Sequence, residues 1–275
     1  MSRALFDTHA HIADSRYAEE GVAAEAVLKR ASEAGVDKIL IPSDSVETSQ
    51  AALDYREAHN GECGIKLYCS VGVHPHEASS YSDEAEKFIL DSVDARNTNG
   101  VRAIGEIGLD YHYDFSPRDV QRDVFARQLE LAFVKDIPII LHEREATKDC
   151  LDIISDFYSR GRLRGNPGVC HCCSMSAESA KIILDMGFYL GFDGPITFKK
   201  NRKTPEVAAM CPADRMVIET DSPYLTPEPY RGKTNEPAMV LYVAKRLAEI
   251  KNMTEEEIAA VTYENGCRLY ELEGE

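Results

Sequence analysis

No stretch of the 275-residue sequence is long and apolar enough to cross a bilayer. Charged residues interrupt every apolar run well short of the roughly 20 residues a helical span needs. A basic segment followed by an apolar one is also missing from the N-terminus, so we expect a soluble protein without a signal peptide. There is no surplus of basic charge either: 31 Lys and Arg stand against 47 Asp and Glu, a net charge of −16. That balance excludes broad, nonspecific adhesion to nucleic acid or anionic membranes, but not a phosphate held at one point by metal ions. Eight cysteines in a chain this long do not resemble a small secreted disulfide framework, and a reducing cytoplasmic location is expected. No Pro/Gly/Ser-rich linker, low-complexity segment or long-period repeat divides the chain. Residues 1–275 are expected to form a single domain, large enough to bury roughly 75% of its unfolded surface without staples.

What is present is alternation. Short apolar runs bounded by turn formers occur at 4–6, 38–42, 66–73, 101–106, 137–142, 168–171, 188–192 and 215–221. Between them lie segments with helical apolar spacing: 18–35, 46–60, 83–96, 120–135, 148–160 and one capped by Ser176. Two helices, 237–250 and 255–272, close the chain, the second with Thr254 and Glu257 as a capping box. Strict alternation implies a parallel sheet, and eight units at about 250 residues point to an α/β fold, a (β/α)8 TIM barrel. An open doubly wound sheet is the competing topology, but no Gly-x-Gly-x-x-Gly turn follows the first strand.

A barrel of this type carries its chemistry at the C-terminal ends of its strands. Those ends hold His9 and His11, His74 and His76, Glu106, His142, His171 and Asp221, leaving only His59 and His112 of the eight histidines elsewhere. Strand alternation places Asp7, His9 and His11 on one face, two imidazoles forming a pincer for one ion. A bare His-x-His reads equally well as an accidental pair in a polar loop. The further ligands at other strand ends decide for a metal site. Nitrogen and carboxylate donors suit two divalent cations (Mg2+, Mn2+ or Zn2+), with His9 and His11 on one and His142 and His171 on the other. Glu106, with two oxygens, is expected to bridge them, and Asp221 to ligate and to orient or deprotonate the attacking water. Metal coordination lowers the pKa of water from about 15.7 to near 7, so the expected chemistry is hydrolysis.

Asp7-Thr8-His9-Ala10-His11, Val73-His74-Pro75-His76, Gly105-Glu106-Ile107-Gly108-Leu109-Asp110-Tyr111, Leu141-His142-Glu143-Arg144-Glu145-Ala146, His171-Cys172-Cys173-Ser174 and Glu219-Thr220-Asp221-Ser222-Pro223-Tyr224-Leu225 are specific as a set. With 229–237 they give a chain that resembles the TatD family of metal-dependent deoxyribonucleases, among the amidohydrolase-like barrels. The resemblance implies a two-metal site and hydrolysis of DNA ends, commonly as a 3′ exonuclease. Departures from the family pattern stand at Cys173 and Met175, usually an aromatic residue and a glycine, and at Glu143, usually small. They touch no expected ligand but bear on the floor and rim of the pocket.

Substrate contacts are expected from His74, His76, Arg144, Lys199 and Arg231, with Lys199 heading a basic run through Lys200, Arg202 and Lys203. A solvated charge run and ion pairing with the abundant carboxylates are the plainer explanations of those cations. Arg118 reads as an ordinary helix-start residue, and Cys170 and Cys172 as core packing, with Cys173 open. Two divalent cations among four neutral histidines, two carboxylates and a hydroxide leave a pocket of about +1, suited to a DNA end or small phosphodiester. Two other readings compete: an amidohydrolase acting on an amide, lactone or phosphotriester, and a non-catalytic metal- or nucleic-acid-binding protein. Glu106, where such amidohydrolases often carry a carboxylated lysine, favours the nuclease; the full ligand set favours an enzyme.

Overall fold

The computed structural model describes residues 4–272. Eight strands, β1 (Leu5–Asp7), β2 (Val36–Ile41), β3 (Lys66–Val71), β4 (Val101–Asp110), β5 (Ile139–Arg144), β6 (Gly168–Cys170), β7 (Tyr189–Phe192) and β8 (Met216–Ile218), pair in that order. Every pairing is parallel. Hydrogen bonds from Thr8 N to Ile218 O (3.1 Å), Asp221 N to His9 O (2.9 Å) and His11 N to Ser222 O (2.7 Å) join the last strand to the first. The fold is the expected (β/α)8 TIM barrel.

Two apolar layers hold it. Phe6, Leu40, Tyr68, Ala103, Ile140, Val169, Tyr189 and Val217, one from each strand, fill the barrel interior, and Leu269, Tyr270 and Leu272 close its N-terminal end. The larger layer lies between the sheet and the helices around it. Large and small side chains alternate in the interior, the packing that makes such a barrel solid rather than a pore. The chemistry is thereby confined to the opposite, C-terminal mouth.

Several boundaries differ from expectation. The 18–35 helix is two, Ser15–Glu19 and Ala24–Glu33, interrupted where Gly21 takes φ +71°. The Thr254–Glu257 capping box forms as expected. β4 runs four residues beyond Glu106 to Asp110, and β8 stops three residues before Asp221. A register irregularity between Ile104 and Ile107 resets the alternation of β4. The interior residue after Ala103 is therefore Glu106, two faces having been exchanged by the bulge. Gly108 makes the tight fit to β5 feasible: at φ +144°, an added Cβ would lie 1.9 Å from the His142 carbonyl oxygen.

Candidate metal centre

Around the barrel mouth, the chain places His9 Nε2 and His11 Nε2 each 3.4 Å from Glu106 Oε1 and 3.5 Å from Asp221 Oδ1. These separations are long for hydrogen bonds. They match the spacing of about 3.3–3.4 Å between ligand atoms that a tetrahedral cation with bonds of about 2.0–2.1 Å imposes. Both ring nitrogens of His9 are buried without a hydrogen-bond partner among the described residues, which is costly unless something else satisfies them. The donor set, its spacing and the orphaned imidazole all fit a divalent cation.

The other oxygen of Glu106 faces a second group. Glu106 Oε2 lies 2.8 Å from His171 Nε2 and 3.7 Å from His142 Nδ1, which are 3.1 Å from each other. His171 Nδ1 is a further buried nitrogen without a hydrogen-bond partner among the described residues. His74 joins this half: a ring nitrogen lies within 4.8 Å of ligand atoms of Glu106 and His142, and the side chain is buried. His74, expected from the sequence as a substrate contact, has Nδ1 accepting from His76 N (3.1 Å). His76 reaches toward the rim, its Nε2 3.0 Å from Asp110 Oδ2.

Asp110 is the residue that sequence reasoning passed over. Its Oδ2 also lies 3.1 Å from His142 Nε2, fixing that ring, while Oδ1 accepts from His112 N and Tyr113 N (3.0 and 2.9 Å). The signal was there: Glu106, Gly108 and Asp110 are two apart, so they share a face if the strand continues. Buried glutamines of the helix Arg118–Val134 set this edge. Gln121 accepts from Asp110 N and donates to its carbonyl, and Gln128 does the same for Val73, just before His74. Across the barrel, Asp7 is turned away from the imidazoles. Its carboxylate accepts from Thr220 N, the Thr220 hydroxyl and His9 N, tying the His9 segment to the Asp221 segment. The sequence expectation of a continuous Asp7–His11 strand face fails because β1 ends at Asp7.

Charge follows from this packing. Burial raises the Glu106 carboxyl, but the imidazoles of His171, His9 and His142 outweigh it and hold it well below the usual range. Burial likewise disfavours an ionised Asp221, but the neighbouring imidazoles of His11 and His9 overcome it, so its pKa is lowered. Desolvation and the neighbouring His171 push His9 down to about 4. For His11, burial is overridden by Asp221, Asp44 and Glu106, and it rises to about 10; for His142, Asp110 and Glu106 override burial and raise it to about 9. Behind them, burial pushes Asp193 up to about 8 and Glu219 well above its usual value.

A cavity of about 480 Å3 opens beside the second half, lined by His142, His171, Asp221, Asp193, Arg144 and Lys203 among others. Arg144 is thus at the pocket. Lys199 and Lys200 are exposed and line neither this cavity nor its neighbour, whereas Lys203 of the same run does. Arg231 lines the neighbouring groove of about 520 Å3 with its guanidinium 4.2 Å over the Phe198 ring. Cys170, Cys173 and Met175 are buried in the core. Cys172 is partly buried, its N–H donating to Glu219 Oε1 (2.5 Å). Glu143 lines the pocket, but Oε1 accepts from Ala146 N and the Thr147 hydroxyl, so it anchors the start of the helix Thr147–Ser159. Arg118 pairs with Asp114 on the surface.

A parallel barrel with histidines and carboxylates converging at its C-terminal mouth defines a metal-dependent hydrolase. The family model described as TatD related DNase matches residues 6–271. The chain belongs to this family. It is 41% identical over 268 residues to the uncharacterized metal-dependent hydrolase YabD of Bacillus subtilis, covering 98% of this chain and 99% of that one. It is 30% identical to the 3′-5′ ssDNA/RNA exonuclease TatD of Erwinia tasmaniensis, covering 98% and 100%. The crystal structure of YJJV, a TatD homolog from Escherichia coli K12, superposes with a TM-score of 0.87 at 28% identity over 98% of this chain and 99% of that chain. Among the described residues, no helix is long and apolar enough to cross a membrane.

Proposed function

We propose that this hydrolase, cytoplasmic in location, cleaves phosphodiester bonds at the ends of single-stranded DNA from the 3′ side, using two divalent cations. The observation that carries the reading is Glu106, whose two oxygens face two separate donor groups. In this assignment His9, His11, Glu106 and Asp221 hold one cation, and Glu106, His142 and His171 the other, with His74 adjacent. Bound there, the cations supply an acidified water and positive charge for the phosphoryl oxygens. Asp221, held ionised, accepts the proton of the attacking water. Asp110 holds the His142 and His76 rings, and in this reading His76 donates toward the leaving oxygen. Arg144 and Lys203, at the pocket wall, meet a neighbouring phosphate. The similarity to a protein named as a single-strand exonuclease supports the substrate class.

The test is degradation of end-labelled single- and double-stranded DNA and of RNA, beside amides and lactones, each with and without chelator. Metal-dependent shortening of single strands from the 3′ end is expected. Turnover of an amide or lactone with nucleic acid left intact would overturn the reading.

A further inference from the structure

Two aromatic rings stand exposed on the loop that follows β4. Tyr113 is 47% and Phe115 69% accessible, in a protein whose other large apolar side chains are mostly buried. Their rings stack, with centroids 5.2 Å apart and planes 21° from parallel. The loop beneath them is tied down. Asp110 Oδ1 holds the amides of His112 and Tyr113, and the buried Ser116 hydroxyl donates to His76 O and accepts from Ser79 N. Gln121 donates to Ser116 O (2.9 Å). Anchored on both sides, the rings are presented in a fixed pose rather than left over by a slack loop.

Their surroundings join them to the metal centre. His76 packs edge-on against both rings, at 5.3 and 4.9 Å between centroids. The same imidazole is bonded to Asp110, which also holds His142. Beside Tyr113 the Arg144 guanidinium sits 4.9 Å from the ring centroid, and no carboxylate pairs with it among the described residues. Apolar plates next to an unpaired cation and a phosphate-cleaving centre are the arrangement that unstacked bases require. Resting on the proposed nuclease reading, we propose that Tyr113 and Phe115 form a stacking platform for one unpaired nucleobase next to the scissile phosphate, with Arg144 at its phosphate. A paired base cannot leave its own stack without unpairing, so the platform selects single strands and frayed ends. Every base has a π face, so it reads no sequence.

The experiment compares wild type, Tyr113→Ala/Phe115→Ala, and the ring-preserving Tyr113→Phe/Phe115→Tyr. The substrates are a single-stranded oligonucleotide and versions with one abasic site at each of its last three positions. Binding is read in chelator by quenching of 2-aminopurine placed at those positions. The alanine variant should lose roughly 10-fold in kcat/KM per ring on the intact strand. One abasic position should cost wild type a similar factor and cost the alanine variant nothing, and the ring-preserving variant should behave as wild type. Quenching at that same position should vanish only in the alanine variant. Equal kcat/KM and quenching in wild type and the alanine variant, with wild type still degrading single strands, would overturn the platform alone. A wild type that leaves every nucleic acid intact, and quenches none, would overturn the nuclease reading with it. A change of oligomeric state in the alanine variant with nucleic-acid binding unaltered would assign the rings to a second copy of the chain and also overturn the proposal.

Discussion

The two halves of the metal centre share Glu106 but are built differently. Around Glu106 Oε1 the donors of His9, His11 and Asp221 are evenly spaced at 3.4–3.5 Å, with no close hydrogen bond among them. Around Oε2 the donors are unevenly spaced, with His171 at 2.8 Å, His142 at 3.7 Å and 3.1 Å between those two nitrogens. The partner outside the donor set differs. His9, His11 and Asp221 sit on segments bonded directly to one another at the barrel seam, which fixes their separation. His142 and His171 also sit on directly bonded segments, with His171 N donating to Leu141 O (3.1 Å), but here the His142 ring is held in addition by the Asp110 carboxylate. The first half is spaced by the barrel seam; in the second, a carboxylate outside the donor set orients one of the rings.

Glu106→Gln has the largest expected effect, because it weakens both halves at once. Hydrolysis should fall to the rate without enzyme, and metal analysis should find both positions depleted. Asp221→Asn keeps size and one oxygen donor while removing the proton acceptor. Turnover should drop about 10²–10⁴-fold with single-strand binding largely retained. Near-normal turnover would assign the base elsewhere. Asp110→Asn separates the halves: it keeps an oxygen for the loop amides but loses the charge that orients His142. Affinity for the cation proposed beside His142 and His171 should fall about 10–100-fold, with the one proposed among His9, His11 and Asp221 unchanged.

The smallest effect is a pH dependence with opposite slopes. His11 and His142 have folded pKa values of about 10 and about 9, above the ordinary 6.5. Their stabilisation of the metal-free protein is full below pH 6.5 and is lost as pH rises through 9 to 10. Asp193, raised to about 8, works in the same direction: its contribution is full below about pH 4 and is lost as pH rises through 8. Cations must displace the histidine protons, so their affinity rises over the range in which metal-free stability falls. Thermal melts from pH 6.5 to 9, with chelator and with Mn2+, should therefore diverge; parallel curves would mean that His11 and His142 are not ligands.

The eight-fold alternation was legible because each buried strand is a short apolar run between turn formers, and the barrel interior takes one such residue from each. Convergence of the histidines followed from where strands end. What could not be read was the bulge in β4, a property of its pairing with β5 rather than of its own residues. Ending that strand at Glu106 hid Asp110 and, with it, the link from His142 to the aromatic loop. The position of His74 was hidden for a related reason. The buried Gln128 bonds to Val73 fix the chain just before it, and nothing local to 73–76 announces that partner.

In the proposed site Glu106 separates two cation positions. Anomalous diffraction from crystals soaked in Mn2+ measures this directly. The account predicts two peaks about 3.5–4 Å apart on either side of the Glu106 carboxylate, one among His9, His11 and Asp221 and the other beside His142 and His171. One peak at full occupancy, with none on the other side of the carboxylate, would contradict it.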